Sequence, residues 1–328
     1  MDPQKNMQSC LGYFENPVVV ELVSDSLGDD DQSLRIFKTF LAGETPEDPD
    51  NPLSFETRYP FMDLVADPPL AALNGRLSVV EWLYRELTKE WEDFRSHGIR
   101  KKMCENAAEG GHLEILKWLD GVNCPWETSV VYAAVRNGHL DCIKWADENG
   151  CSWDWFVSLD AAAGGHLECL IWTMGPDCRG RTFYDIEYYP SYRTAMCMEA
   201  AIGGNLDCLK WARENGFHWD KWTCAHAAKY GHLDVLAWAR ENGCDWDEWT
   251  CVYAAERGQL ECLKWARENG CPWNERTCSN AASNGHLHCL MWARENGCPW
   301  DKYTYLRAEL YGHQECLQWA RENGCPEN

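Results

Sequence analysis

Several signatures are missing from these 328 residues, and each absence removes a class of function. The first ten residues, MDPQKNMQSC, lack the basic-then-apolar run of a secretory signal. No window offers about 18 consecutive apolar residues, so no membrane-spanning helix is expected. Positive charge is scarce: 30 Lys and Arg stand against 52 Asp and Glu, for a formal net charge of -22. Proteins that grip nucleic acid neutralise phosphates with basic side chains, so nucleic acid is not an expected partner. At long range the same charge steers basic molecules inward, which favours a basic protein partner. There is no Gly-rich phosphate loop, no GxSxG elbow, no HExxH pair and no paired CxxC framework. Nothing in this inventory reads as an enzyme, and no cofactor or metal is expected.

Cysteine and tryptophan, by contrast, are plentiful, with 19 of each, and both recur in phase. The stretch WARENGCPW stands at 265–273 and again at 292–300, an interval of 27 residues. One Trp per interval serves as a ruler: Trp82, Trp118, Trp145, Trp172, Trp211, Trp238, Trp265, Trp292 and Trp319. All spacings are 27 except two, which carry insertions of 9 and 12 residues near 88–98 and 175–193. Seven residues before every ruler Trp stands Gly, from Gly75 to Gly312, and eleven before it stands Ala. A fixed period of this kind marks a repeat architecture. Nine units run from about residue 66 to 328, behind an acidic segment, 1–65.

The unit TCVYAAERGQLECLKWARENGCPWNER reads as two helices. Thr250 is the expected cap of the first helix, as are Thr223, Thr277 and Thr304 in their copies. The Gly breaks that helix, and a second, QLECLKWAREN, ends at Gly270 in the left-handed region. Leu260, Cys262, Leu263, Trp265 and Ala266 cover an arc too wide for one short helix to bury. Neighbours on both sides must complete the core, which is the logic of a solenoid.

The pattern AAxxGHLxCLKWxxENG resembles the ankyrin repeat over about 260 residues. That resemblance implies an all-α, ankyrin-like helix-turn-helix solenoid. The unit is shorter than a typical ankyrin repeat and has TC where TPLH usually opens it, so the hairpin fingers are expected as reduced loops. Proteins of this type act as protein-protein interaction scaffolds, and the first helices with their adjoining loops line the concave face.

Phasing also disposes of the reactive residues. Eighteen of the cysteines occupy three repeat slots, where Phe217, Ile115, Val235, Val131, Ser158 and Tyr305 replace them in other copies. Mostly apolar substitutes point to thiols used as small buried hydrophobes. His112, His139, His166, His232, His286 and His313 share one slot with Asn205 and Gln259, which suits a role at the inter-helix turn better than a zinc site. A second Trp ladder (Trp126, Trp153, Trp219, Trp246, Trp273, Trp300) is read as inter-unit packing, with each indole N–H finding a partner at the loop edge.

Function is then sought at variable slots. Eleven residues past the ruler, in the loop before the next first helix, stand Phe156, Trp222, Trp249, Arg276 and Tyr303. The first helices add Tyr230, Tyr253, Arg257 and Tyr311, with Tyr132, Arg136, His226, Asn280, Asn284 and Arg307 as further exposed candidates. Aromatics and Arg are the residues that carry binding energy at interfaces. The insertion GPDCRGRTFYDIEYYPSYR brings Tyr184, Tyr188, Tyr189 and Tyr192, chemistry similar to a paratope, or else a disordered bulge. Near the end, Glu309, Gln314 and Glu327 place polar groups at core slots, as a terminal cap requires. The segment 1–65 is read as a helical cap for the first unit. Its stretch at 16–40 also resembles an F-box, without the opening Leu-Pro and the later Trp. The reading is a monomeric, cytoplasmic scaffold or adaptor, with the nucleus left open. The alternative is a substrate-recognition subunit of a ubiquitin ligase.

Overall fold

Each 27-residue unit folds as two short helices, and the glycines set where the chain reverses. The computed structural model describes residues 68–90, 97–175 and 190–327, and among the described residues there are helices and no strands. The chain divides into two compact halves, Met1–Cys151 and Ser152–Asn328. The first holds α1 (Pro68–Leu73), α2 (Leu77–Glu90), α3 (His97–Glu109), α4 (Leu113–Gly121), α5 (Thr128–Arg136) and α6 (Leu140–Glu148). The second begins with α7 (Phe156–Gly164), α8 (Leu167–Thr173), α9 (Pro190–Ile202) and α10 (Leu206–Glu214). It continues with α11 (Lys221–Tyr230), α12 (Leu233–Glu241), α13 (Glu248–Glu256) and α14 (Leu260–Glu268). The last four are α15 (Glu275–Ser283), α16 (Leu287–Glu295), α17 (Lys302–Leu310) and α18 (Gln314–Glu322). The segment 1–65, with its cap and F-box-like readings, lies outside the described residues, as do Tyr184, Tyr188 and Tyr189. Helix α2 runs on to Glu90 and α3 starts at His97, so the described edges of the first insertion are helical.

Within each half, odd-numbered helices pack on odd-numbered ones and even on even, with each odd helix also pairing with the even helix that follows it. Each half is therefore a two-layered helical-repeat solenoid. Paired alanines such as Ala254 and Ala255, and Ala281 and Ala282, are fully buried and let the odd helices approach closely.

WARENGCPW can now be accounted for side chain by side chain. Trp265 meets Trp246 of the preceding loop edge-on, ring centroids 5.9 Å apart. Ala266 is fully buried. Arg267 stacks 4.5 Å over Trp273 and donates from Nη1 to the carbonyl of Cys271 at 3.2 Å. Asn269 donates from Nδ2 to the carbonyl of Trp265 at 2.8 Å, a second bond to an oxygen that already accepts the backbone amide of Asn269 at 3.0 Å. Gly270, at φ 85°, takes the left-handed turn. The Cys271 thiol donates to the carbonyl of Asp247, one repeat back, at 3.3 Å. Trp273 then passes the contact forward to Trp292, at 5.9 Å. Most of the nine residues therefore serve the boundary between repeats.

Two expectations need correction. The first-helix caps are not the threonines. Asp220, Asp247, Asn274 and Asp301, three residues earlier, accept from the amides of Trp222, Trp249, Arg276 and Tyr303 at 3.0 to 3.1 Å. Their extended backbone and short carbonyl side chains suit that role. Thr223, Thr250, Thr277 and Thr304 are fully buried in the first turn, with hydroxyls that take no partner. The loop indoles also differ. Trp126 donates to Asp120 at 3.0 Å, but the Trp153 N–H is buried without a partner. Trp219, Trp246, Trp273 and Trp300 are held instead by Arg213, Arg240, Arg267 and Arg294 stacked 4.2 to 4.6 Å over their rings.

The histidine slot reaches across repeats. His232 opens α12, yet its ring does not cap that helix. Its Nε2 lies 3.1 Å from the carbonyl of Ile202 in the preceding repeat, and its ring covers Gly204. Asn205 makes the same crossing through Nδ2 to Ala162 and Ala163, at 2.9 and 2.8 Å. The glycine beneath is obligatory twice over. Its φ is left-handed, and a Cβ at Gly204 would lie 2.4 Å from Nδ1 of His232.

The two glycine slots separate these costs. Gly243 has φ 87° with open space around it, whereas a Cβ at Gly204, φ 73°, would meet the His232 ring at Nδ1, 2.4 Å, and at Cγ, 2.7 Å. Gly243→Ala should lower unfolding stability by about 1–2 kcal/mol, the left-handed penalty alone. Gly204→Ala should cost clearly more in the same urea titration. Equal losses would contradict the close approach.

Candidate protein-binding face

Once Thr, Cys and the two alanines of an odd helix are buried, one stripe stays open, at three positions four residues apart. In α11 these are Trp222, His226 and Tyr230; in α13 they are Trp249, Tyr253 and Arg257. Helix α15 contributes Arg276, Asn280 and Asn284, and α17 contributes Tyr303, Arg307 and Tyr311. Phe156, Trp222, Trp249, Arg276 and Tyr303, expected in loops, lie in the first turns of their helices, because the Asp and Asn caps start those helices earlier. A helix holds them at fixed angles that a loop would not.

The rings of α11 and α13 form one cluster. Trp249 and Tyr253 are 5.5 Å apart, Trp222 lies 6.3 Å from Trp249 and 6.1 Å from Tyr253, and His226 is 5.7 Å from Tyr253 and 6.4 Å from Tyr230. Cations lie over it: Lys229 Nζ 4.4 Å from the Tyr253 ring centre, Arg276 5.3 Å from that of Trp249, and Lys221 5.3 Å from that of Trp222. Lys221 and Lys229 also bridge to α13, through Asp247 at 2.7 Å and Glu256 at 3.1 Å. Sequence reasoning missed these two lysines. Their signal was a pairing 26 or 27 residues away, visible only once neighbouring helices are laid side by side. His226 sits in the cluster with Nδ1 buried and without a partner, and burial, then Lys229, hold its ring below the usual imidazole range.

Tyr230, Tyr303 and Tyr311 are exposed at 42%, 54% and 61%. Arg257 and Arg276 are exposed as well. Phe156 is exposed and stacks on Trp155 at 3.8 Å. It does not join the cluster, because α9 stands between α7 and α11 with Ala195 at the matching slot. In the N-terminal half, Tyr132 and Arg136 line a cleft of about 430 Å³ between α3 and α5, with Lys102, Glu105, Glu109 and Ser129.

The thiols lie elsewhere. All seventeen described cysteines are free and buried. A neighbouring thiol and burial together raise the thiol pKa of Cys104 (beside Cys124), Cys224 (beside Cys244), Cys251 (beside Cys271) and Cys278 (beside Cys298). Among the described residues no three His, Cys, Asp or Glu side chains converge as metal ligands would, and no helix is long and apolar enough to cross a membrane. Known protein-family models give no match to this chain, and comparison with curated proteins gives no significant match.

Burial pushes the thiols of Cys142, Cys151, Cys208, Cys262 and Cys316 up to about 11, and those of Cys197 and Cys289 up to about 12. An unfolded thiol titrates near 8.5. Above that pH the unfolded chain releases protons that the folded one keeps, so stability is whole below pH ~8.5 and is lost as pH rises towards the folded values. Each thiol steepens the fall by about 1.4 kcal/mol per pH unit. Thermal unfolding followed by circular dichroism from pH 7.5 to 10.5 should show the midpoint dropping progressively above pH 8.5. A flat midpoint would show that these thiols are not buried in the fold.

Proposed function

We propose that this protein is a non-enzymatic scaffold or adaptor, an ankyrin-like solenoid that binds a protein partner on the open face of its odd-numbered helices. The observation that carries the reading is the stripe on α11 to α17. Its aromatic and Arg side chains change from repeat to repeat, while the buried Thr and first Ala beside them (Thr223, Thr250, Thr277, Thr304; Ala227, Ala254, Ala281, Ala308) stay the same. Rigid helices hold the aromatics ready, so binding forfeits little side-chain freedom. The free thiols support a reducing compartment such as the cytoplasm. Glu309 supports a monomer: it occupies the slot of the buried Ala228, Ala255 and Ala282, and a charge there opposes stacking of a further unit.

The test is an affinity capture from native lysate, quantified by mass spectrometry. It compares the wild type with a Trp222→Ala, Trp249→Ala, Tyr303→Ala variant whose helical circular dichroism is retained. A partner held by the wild type should drop at least tenfold on the variant. Equal capture of that partner by both proteins would show that the face is wrongly assigned.

A further inference from the structure

The open face reverses the charge balance of the chain. Acidic residues outnumber basic ones 52 to 30 overall, yet none of the twelve open positions on α11, α13, α15 and α17 is a carboxylate, and three are Arg. Arg257, Arg276 and Arg307 make no ion pair with a carboxylate among the described residues. The acids bordering the stripe are already engaged: Glu256 by Lys229 at 3.1 Å, and Asp247 by Lys221 at 2.7 Å and by the amide of Trp249 at 3.1 Å. Glu248, Glu275 and Glu309 lie roughly 100° or more around their helices from the first stripe position.

The face is also graded. The middle position is Asp160 in α7 and Glu199 in α9, and burial together with Asp160 raises the carboxyl of Glu199. Beyond them comes the aromatic cluster of α11 and α13, then Arg257, Arg276 and Arg307. A ligand lying across the helices therefore meets carboxylates at one end, rings in the middle and guanidinium groups at the other. Long-range steering by the net charge favours basic molecules, but at contact distance the guanidinium end selects the opposite sign.

We infer that this face takes an acidic peptide segment of the partner, with an aromatic or aliphatic anchor on Trp222, Trp249 and Tyr253 and carboxylates facing Arg276 and Arg307. The inference rests on the binding role proposed above and adds the partner's chemistry. Packed helices lie roughly 8–10 Å apart. Two steps, from α13 to α17, then span about 20 Å, or about six residues of extended peptide. Arg presents a planar fork that holds a carboxylate by two hydrogen bonds, and the rings supply apolar area in fixed positions.

The experiment selects a phage-displayed library of random 12-residue peptides on the full chain. The most enriched sequence is then synthesised, and its affinity is measured for the wild type and for an Arg276→Glu, Arg307→Glu variant. The expected result is enrichment of net-acidic sequences that carry an aromatic or aliphatic residue, with affinity at least tenfold weaker on the variant. A Trp222→Ala variant should weaken the same peptide. Net-basic sequences that lose binding on Trp222→Ala would overturn the acidic chemistry while leaving the binding role intact. Acidic sequences indifferent to both variants would overturn the placement. Failure to enrich any sequence would overturn the peptide inference, and the lysate capture would still decide the binding role by itself.

Discussion

Everything in this molecule depends on how closely one repeat can approach the next. At the inter-helix turns a polar side chain from one repeat lies closely over a glycine of the repeat before it, as His232 lies over Gly204 and Gln259 over Gly231. The glycine must turn left-handed and must lack a Cβ, and where the side chain above is His112, His139, Asn205 or His232 it reaches a backbone carbonyl left open where the first helix ends. Asn205 serves as well as His because the requirement is a donor of suitable reach rather than an imidazole. That explains a slot whose histidines invite a metal-site reading and whose substitutes refuse it.

The remaining fixed residues extend the same crossing outward. Loop thiols bond to the cap carbonyl of the preceding repeat, and loop indoles meet the ruler Trp of the following one. Arg213, Arg240, Arg267 and Arg294 tie their loops to their own helices by stacking and by a carbonyl bond. With Cys, Trp, His and Gly committed to the boundary, the open stripe is the part of each repeat that can vary without disturbing its neighbours. The scaffold and the binding face are thus separated at the level of single helical positions.

Much of this is legible in the sequence, for a physical reason. The period and the turn glycines show themselves by recurring in every copy, and the buried cysteines through what replaces them at the same slot, so one chain with nine copies carries its own comparison. The cap is easily misread because Thr and Asp both cap helices, and phase alone does not say which of two fixed slots lies outside the first turn. That single ambiguity displaces Trp222, Trp249, Arg276 and Tyr303 into a loop. The crossings of 24 and 30 residues are invisible, because donor and acceptor belong to different copies and meet only in space. The indole partners escape for a different reason: the Arg that holds Trp273 is only six residues back, on the helix of its own repeat, but it stacks on the ring instead of accepting from the N–H. The face's charge is hidden too, since a net charge sums over positions that the fold keeps apart.

If stability resides in the boundaries, then damage at one boundary must be felt on both sides. Native-state hydrogen exchange of a Gly258→Ala variant measures this directly, since a Cβ there would lie 2.7 Å from Nδ1 of His286 in the next repeat. Exchange should accelerate in α13 and α14 and, to a similar degree, in α16, which contains no substitution. If α16 keeps its protection while α13 and α14 alone lose theirs, the repeats are stabilised from within and the boundaries do not hold the stack together.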